Sequence, residues 1–358
     1  MKVLVDVNHP AHVHLFKNLS WELEKRGHCV LWTARTRDVV QNLLDYYGFK
    51  YKMLTKAQKG IVRLGKELLE RDFKMLRLVK DFQPDIMMGT SVCITHVGKA
   101  KNIPSIFWEE DNQDIRKLSI IAYPFADVIC TPDCFEQNFG GKHVKYPSYH
   151  ELAYLHPNRF SSNPTVLKKL KLKKFEPYFI LRFVSFKASH DTRESGISVE
   201  TGLKLIKLLS KYGKVFVNSE IQLPEDIEKY RITVAPHELH DALYYATMCI
   251  GDSQTVIAEA AVLGTPAIRC NTYVGYPGKV PYLDELEYKY GLTYGFRPSD
   301  EDKMLHKILK LLSNPSLKQE WQEKREEMLK DKIDLTDWMV EFLENYPESF
   351  KDYKRKLE

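Results

Sequence analysis

Short apolar runs alternate with amphipathic stretches along most of the chain. Lys2 to Val7 is the first such run, and from about His12 to Arg26 the apolar residues Leu15, Leu19 and Leu23 recur every four positions, the spacing of one helix face. Gly27 ends that helix. A strand at Cys29 to Thr33, a helix near Val39 to Tyr47 closed by Gly48, and a strand at Lys50 to Leu54 follow. This β-α-β-α-β order predicts a parallel sheet. A long basic amphipathic segment, Gly60 to Phe82, leads into a strand at Asp85 to Met88, a helix near Cys93 to Lys101 and a strand at Pro104 to Phe107. Strands at Asp127 to Cys130 and His143 to Lys145 complete a first doubly wound domain, residues 1–155.

From 156 to 176 the periodicity is lost, and the stretch carries Asn, Ser, Pro and the run Lys168 to Lys174, so it reads as a linker. A second α/β series occupies 177–333. It runs through strands at Tyr178 to Phe183, Lys214 to Asn218, Ile232 to Ala235, Met248 to Gly251 and Pro266 to Cys270, with helices near Gly196 to Tyr212, Leu239 to Ala246 and Thr255 to Leu263. In the tail, 334–358, Trp338, Phe342 and Leu343 share one helix face and should pack on the body. Two tandem Rossmann-like domains, a cleft between them and a packed C-terminal helix describe a small set of α/β folds, of which GT-B is the commonest and the one expected here.

Composition narrows the function. At 358 residues the chain exceeds what one core supports, in keeping with two domains. No window reaches the roughly 20 apolar residues of a membrane-spanning helix, and Asp6 and His9 interrupt the first apolar run, unlike a signal peptide. A cytoplasmic protein is expected. The six cysteines show no Cys-x-x-Cys spacing and fall mostly on strand-like positions, as reduced core residues do. A formal charge of +5 over the whole chain lacks the concentrated basic stripe of a nucleic-acid binder. It suits anionic small substrates.

The most informative stretch runs from Gly251 to Pro266: a strand end, the polar turn Asp252-Ser253-Gln254-Thr255, a helix carrying Glu259, and a return to the next strand. Ligands of open α/β sheets bind at such carboxyl-end turns. Amides of Ser253, Gln254 and Thr255 at the helix start would suit a diphosphate, and Glu259, about one turn in, could accept both ribose hydroxyls. An ordinary polar N-cap is the plainer alternative. The segment resembles the nucleotide-sugar motif of the MurG-type N-acetylglucosaminyltransferases and of the non-hydrolysing UDP-N-acetylglucosamine 2-epimerases. The spacing from Ser253 to Glu259 matches, whereas Gln254 and Thr255 replace small residues of those families.

The loop Asn8-His9-Pro10-Ala11-His12-Val13-His14 follows the first strand, at the position of the Gly-Gly-His loop of that glycosyltransferase family, and His12 aligns with the family's His. An imidazole there suits a general base; a structural hydrogen-bonding role is the alternative. A metal site at the three histidines fits poorly, because His-x-x-His-x-His in a turn points them apart. After the strand ending at Phe107 come Trp108-Glu109-Glu110-Asp111, and the related epimerases carry a catalytic Glu near this point that Glu109 or Glu110 could match. Their Asp after the preceding strand has no counterpart in Gly89-Thr90-Ser91-Val92, which counts against epimerisation.

In the second domain, Arg182 leads into a polar loop with Ser185, Lys187, His190 and Arg193, read as phosphate or sugar contacts or as a solvated loop. Asp300 and Asp302 fit a helix start, so no metal or other cofactor is implied beyond a UDP-sugar substrate. The basic residues Lys66, Arg71, Lys74, Arg77 and Lys80 of the 60–82 helix could rest on anionic lipid or be a solvated face. Taken whole, the chain resembles the family known as domain of unknown function 354, through Asn8-His9-Pro10, the run Glu24 to His28, and Arg182 to His190. The resemblances imply a metal-independent glycosyltransferase. A nucleotide-sugar donor would bind the second domain and a carbohydrate or lipid-linked acceptor the first, in surface polysaccharide or glycolipid assembly. His12 or one of Glu109, Glu110 and Asp111 would be the catalyst. A UDP-N-acetylhexosamine 2-epimerase and a nucleotide-sugar-binding protein without catalysis are the alternatives.

Overall fold

A computed structural model describes all residues except 37, 57–60, 112–116, 174–175, 185–195, 220 and 357–358. The chain divides into two units, Met1–Arg159 with Lys332–Glu358, and Phe160–Asp331. The first holds β1 (Lys2–Val7), β2 (Cys29–Thr36), β3 (Tyr51–Lys56), β4 (Ile86–Gly89), β5 (Ser105–Trp108), β6 (Val128–Pro132) and β7 (His143–Tyr146). They form one parallel sheet in the order β3-β2-β1-β4-β5-β6-β7. Parallel strands joined by helical crossovers are covered on both faces, so the central strands are apolar runs. Val3, Leu4, Val5 and Val7 of β1 and Met87 and Met88 of β4 are buried.

The second unit holds β8 (Tyr178–Phe183), β9 (Lys214–Ser219), β10 (Met248–Gly251), β11 (Ala267–Cys270) and β12 (Thr293–Phe296), in the parallel order β12-β11-β10-β8-β9. The strand expected at Ile232 to Ala235 is not one: a single bridge joins Val217 to Arg231, and Pro236 then starts a tight turn. Proline fixes its own backbone angle and removes a ladder donor, which stops the pairing. β12 had no such signal, being four residues with a glycine at 295.

The tail is two helices, Leu335–Glu344 and Glu348–Arg355. Trp338 stacks on Phe342 at 5.0 Å and meets Trp108 edge-on at 6.0 Å, which seats the tail on the first unit. Cys93, Cys130, Cys249 and Cys270 are buried, whereas Cys29 is exposed and Cys134 half-buried. Burial pushes the thiols of Cys249 and Cys270 up to about 12, so both stay protonated and unreactive at neutral pH.

Each strand order reverses once: between β1 and β4 in the first sheet, and between β8 and β10 in the second. At such a reversal the crossovers leave on opposite faces and open a crevice at the carboxyl ends of the two strands. Both informative segments of the sequence begin at these points.

Candidate functional site

At the first reversal β4 closes on Gly89, whose φ is +153°, and a Cβ there would lie 2.2 Å from the carbonyl oxygen of Asp6 on β1. Only glycine fits. The close approach brings Thr90, next in the chain, against the loop after β1, where its Oγ1 is 2.6 Å from Nδ1 of His12. The amide of Asn8 faces the same nitrogen at 3.4 Å. His12 lies in the first turn of the helix Pro10–Lys25, which starts with proline and is capped by His9, whose Nδ1 accepts from the amide of Ala11 at 3.3 Å. His14 is buried against the rings of Tyr154 and Tyr47. The rings of His9 and His12 lie 5.8 Å apart, centre to centre, and His14 belongs instead to the aromatic cluster.

Beneath this loop Asp6 is wholly buried, and its Oδ1 accepts from Thr33 Oγ1 at 2.7 Å and from Arg71 Nη2 at 2.6 Å. Arg71 also donates to the side-chain oxygen of Asn8, fixing the start of the loop. The structure thereby removes Arg71 from the basic face of the helix Ile61–Phe82: it is buried because Asp6 needs a partner in the core. Lys66, Lys74, Arg77 and Lys80 do lie on the surface, where Arg77 covers Phe73 at 4.3 Å and Leu69 is exposed.

The acid cluster after β5 separates into different roles. Glu109 is fully buried; its Oε1 faces the amides of Glu110 and Asp111 at 3.2 and 3.4 Å, and its Oε2 accepts from Tyr123 at 3.3 Å. It holds its own turn together. Glu110 reaches the surface in part, with Oε2 2.8 Å from Nδ1 of His150, a residue the sequence did not single out. His150 Nε2 is buried and has no hydrogen-bond partner among the described residues. Asp111 is half-buried beside them.

At the second reversal the chain leaves β10 at Gly251, where a Cβ would come 2.5 Å from the carbonyl oxygen of Arg182 on β8. Asp252 Oδ1 accepts from the amide of Val184 at 2.8 Å, and Asn271 donates to its carbonyl at 3.2 Å. Ser253 caps the helix Gln254–Val262 by accepting from the amide of Val256 at 3.4 Å, so Gln254 and Thr255 supply the first-turn amides that a helix start leaves without intrahelical partners. The side-chain nitrogen of Gln254 is buried and without a partner among the described residues. Arg182, one residue before the end of β8, is nearly buried and donates from Nη1 to Asn218 at 2.6 Å.

Glu259 departs from expectation. A carboxylate reaching into a cleft should be exposed, yet Glu259 is 3% exposed. Its Oε1 lies 3.0 Å from Nε2 of His240, which comes from the helix Leu239–Tyr245. The sequence offered no sign of His240, because a lone histidine in a short helix reads as core. Ser185, Lys187, His190 and Arg193 lie outside the described residues.

Comparison with known proteins agrees with this architecture. The chain is 26% identical over 318 residues to "Uncharacterized protein MJ0665" of Methanocaldococcus jannaschii, covering 86% of this chain and 87% of that protein. Among solved structures it is similar to the UDP-GlcNAc 2-epimerase of Neisseria meningitidis bound to UDP-GlcNAc, with a TM-score of 0.64 at 15% identity over 96% of this chain and 99% of that one. It is similar also to MurG of Acinetobacter baumannii, with a TM-score of 0.57 at 14% identity over 96% and 99%. At such identities the structural likeness establishes the GT-B fold. The family assignment rests on a match from residue 1 to residue 348, by which the chain belongs to the family described as "Protein of unknown function (DUF354)".

Proposed function

We propose that the protein is a metal-independent glycosyltransferase that takes a nucleoside-diphosphate sugar, a UDP-sugar, as donor and passes the sugar to a hydroxyl of a carbohydrate or lipid-linked acceptor. The observation that carries this reading is the turn at the second reversal. A capped helix start, the side-chain nitrogen of Gln254, without a partner among the described residues, and the Arg182 guanidinium lie at the carboxyl ends of β8 and β10, and Glu259 follows one turn later. Helix-start amides and a cation stabilise a departing diphosphate. The solved structures of this fold include a UDP-sugar epimerase and glycosyltransferases, in keeping with a nucleotide-sugar ligand.

The first unit would supply the proton acceptor. We assign that role to His12, whose ring is held at Nδ1 by Thr90 Oγ1 and the amide of Asn8. The same Thr90 stands where proton removal from a sugar carbon would call for a carboxylate, so transfer is favoured over 2-epimerisation. Calorimetric titration with UDP and other nucleoside diphosphates, with and without magnesium, tests the donor site. Selective binding that does not need magnesium is expected, and binding of none of them would sink the reading.

A further inference from the structure

The loop after β11 is tied to both neighbouring strand ends. Asn271 donates from its amide to the carbonyl of Phe296, which ends β12, at 3.2 Å, and from its side chain to the carbonyl of Asp252 at 3.2 Å. Arg297, the residue after β12, donates from Nε to the carbonyl of Val274 at 2.8 Å, and its Nη2 lies 3.4 Å from that of Gly275. Gly275 and Gly278 have φ of +79° and +75°, and a Cβ on Gly275 would come 3.0 Å from Nη2 of Arg297. Glycine is therefore what lets the guanidinium lie against the loop. Between the two glycines stands Tyr276, 49% exposed, with Lys279 Nζ 4.7 Å and the Arg297 guanidinium carbon 4.8 Å from its ring centre.

Two cations gathered at one ring are closer than the Debye length of about 10 Å at 0.1 M salt, so they repel each other. The ring offsets part of that repulsion and a carboxylate would offset more. Neither cation meets one among the described residues, because the nearby acids have other partners. Asp284 accepts from the amide of Gly278 at 3.0 Å and lies 3.8 Å from Arg269, Asp300 is paired with Lys303 at 2.7 Å, and Glu301 with Lys204 at 2.8 Å. The spot lies at the carboxyl ends of β11 and β12, one and two strands from the helix start that follows β10. Neighbouring strands are about 4.8 Å apart, so β12 ends about 10 Å from β10. A diphosphate held at the helix start stops short of that distance, and a sugar joined to it spans the rest.

We propose that Lys279 and Arg297 are specificity-determining residues that take the carboxylate of a hexuronic acid, so that the donor is a nucleoside-diphosphate uronic acid and not a neutral sugar nucleotide. This rests on the donor site at the turn after β10. The carboxylate is the counter-charge that the two cations lack within the described residues, and Arg297 spends only Nε and Nη2 on the loop, which leaves Nη1 to donate to it.

Calorimetry on the full-length protein tests this with UDP, UDP-glucose, UDP-galactose, UDP-glucuronate and UDP-galacturonate. At least one uronate should bind about tenfold more tightly than its neutral counterpart, and added salt should erode the difference. Lys279→Met keeps the stem over the Tyr276 ring and removes the charge, so most of the preference should vanish while UDP affinity stays. Lys279→Arg, which keeps the charge, should retain it. Equal affinity for uronates and neutral sugars overturns the proposal. So does a loss in Lys279→Met as large for UDP as for the uronate, which assigns the cation to the diphosphate. If the parent binds UDP without the preference, the donor site stands and this inference alone falls; if it binds no nucleotide, the donor-site reading itself fails.

Discussion

The turn after β1 and the turn after β10 occupy equivalent places in their sheets. Each follows a central strand, opens a helix and lies beside the strand where the order reverses. Their chemistry differs. The first is built from imidazole and hydroxyl, His9 capping the helix and Thr90 holding His12, above the buried Asp6–Arg71 pair. The second is built from a serine cap, amides and a buried carboxylate held by His240. On the proposed reading the first turn moves a proton and the second holds an anion, although backbone topology is the same. The fold sets where ligands go, and the side chains at the reversal set what is done there.

Both reversals depend on a glycine that lets neighbouring strands approach, and the two glycines are not equivalent. Gly89 combines the shorter contact, 2.2 Å to backbone, with a φ of +153°, whereas Gly251 has a contact of 2.5 Å to backbone and no such φ. Gly89→Ala should therefore cost about 3 kcal/mol of stability and Gly251→Ala about 2 kcal/mol, read as shifts in urea unfolding. The reverse order would mean that the first turn is the softer of the two, and that Thr90 is not rigidly placed against His12.

Acid should separate the units further. His143 on β7 is buried, with Nε2 2.8 Å from Thr131 Oγ1. Desolvation, then the charges of Lys145 and Lys354, bring its pKa down to about 4, against about 6.5 in an unfolded chain. Between these values the unfolded state binds more protons, so stability falls as the pH drops from 6.5 and the loss is complete below 4. The loss amounts to about 3 kcal/mol. Amide exchange in β7 should accelerate over that window more than exchange in β10, and His143→Gln should flatten the difference. Equal acceleration in both sheets would assign the acid response elsewhere.

Much of this architecture was legible in the sequence because a parallel sheet writes itself as apolar runs separated by helical periodicity. The exceptions have physical causes. The β-prone stretch Ile232 to Ala235 reads as a strand, but Pro236 follows and only one bridge, at Arg231, forms. β12 is short and contains Gly295, which packs against Glu287 and Val274, so a tertiary contact and not propensity makes it a strand. Among site residues, the helix carrying Ser253, Gln254 and Glu259 was visible from its order of residue types. Thr90 was read for the carboxylate it lacks, and its hydroxyl matters only because Gly89 brings β4 against β1. His240 and His150 were silent for the same reason: each meets its carboxylate across a distance in sequence that no local pattern records. Arg71 shows the converse, a residue whose helical spacing suggested a surface face and whose burial is dictated by Asp6 on another element.

The smallest effect bears most directly on the division of labour between the two turns. Thr90→Val keeps the side-chain shape and removes the hydroxyl that lies 2.6 Å from His12 Nδ1. If the first turn handles only the proton, the affinity for UDP should be unchanged, since every group assigned to the nucleotide belongs to the second unit. Turnover of the donor that the titration identifies should fall by about tenfold, the scale of one hydrogen bond that orients a catalytic base. The imidazole nitrogens of His12 give an independent check by NMR. The Nδ1 resonance, which reports the contact with Thr90 Oγ1, should shift in the variant if that hydroxyl orients the ring. A variant that loses UDP affinity instead would show that the two turns do not act separately, and one that keeps full turnover would remove His12 from the chemistry and return Glu110, with His150 behind it, to first place.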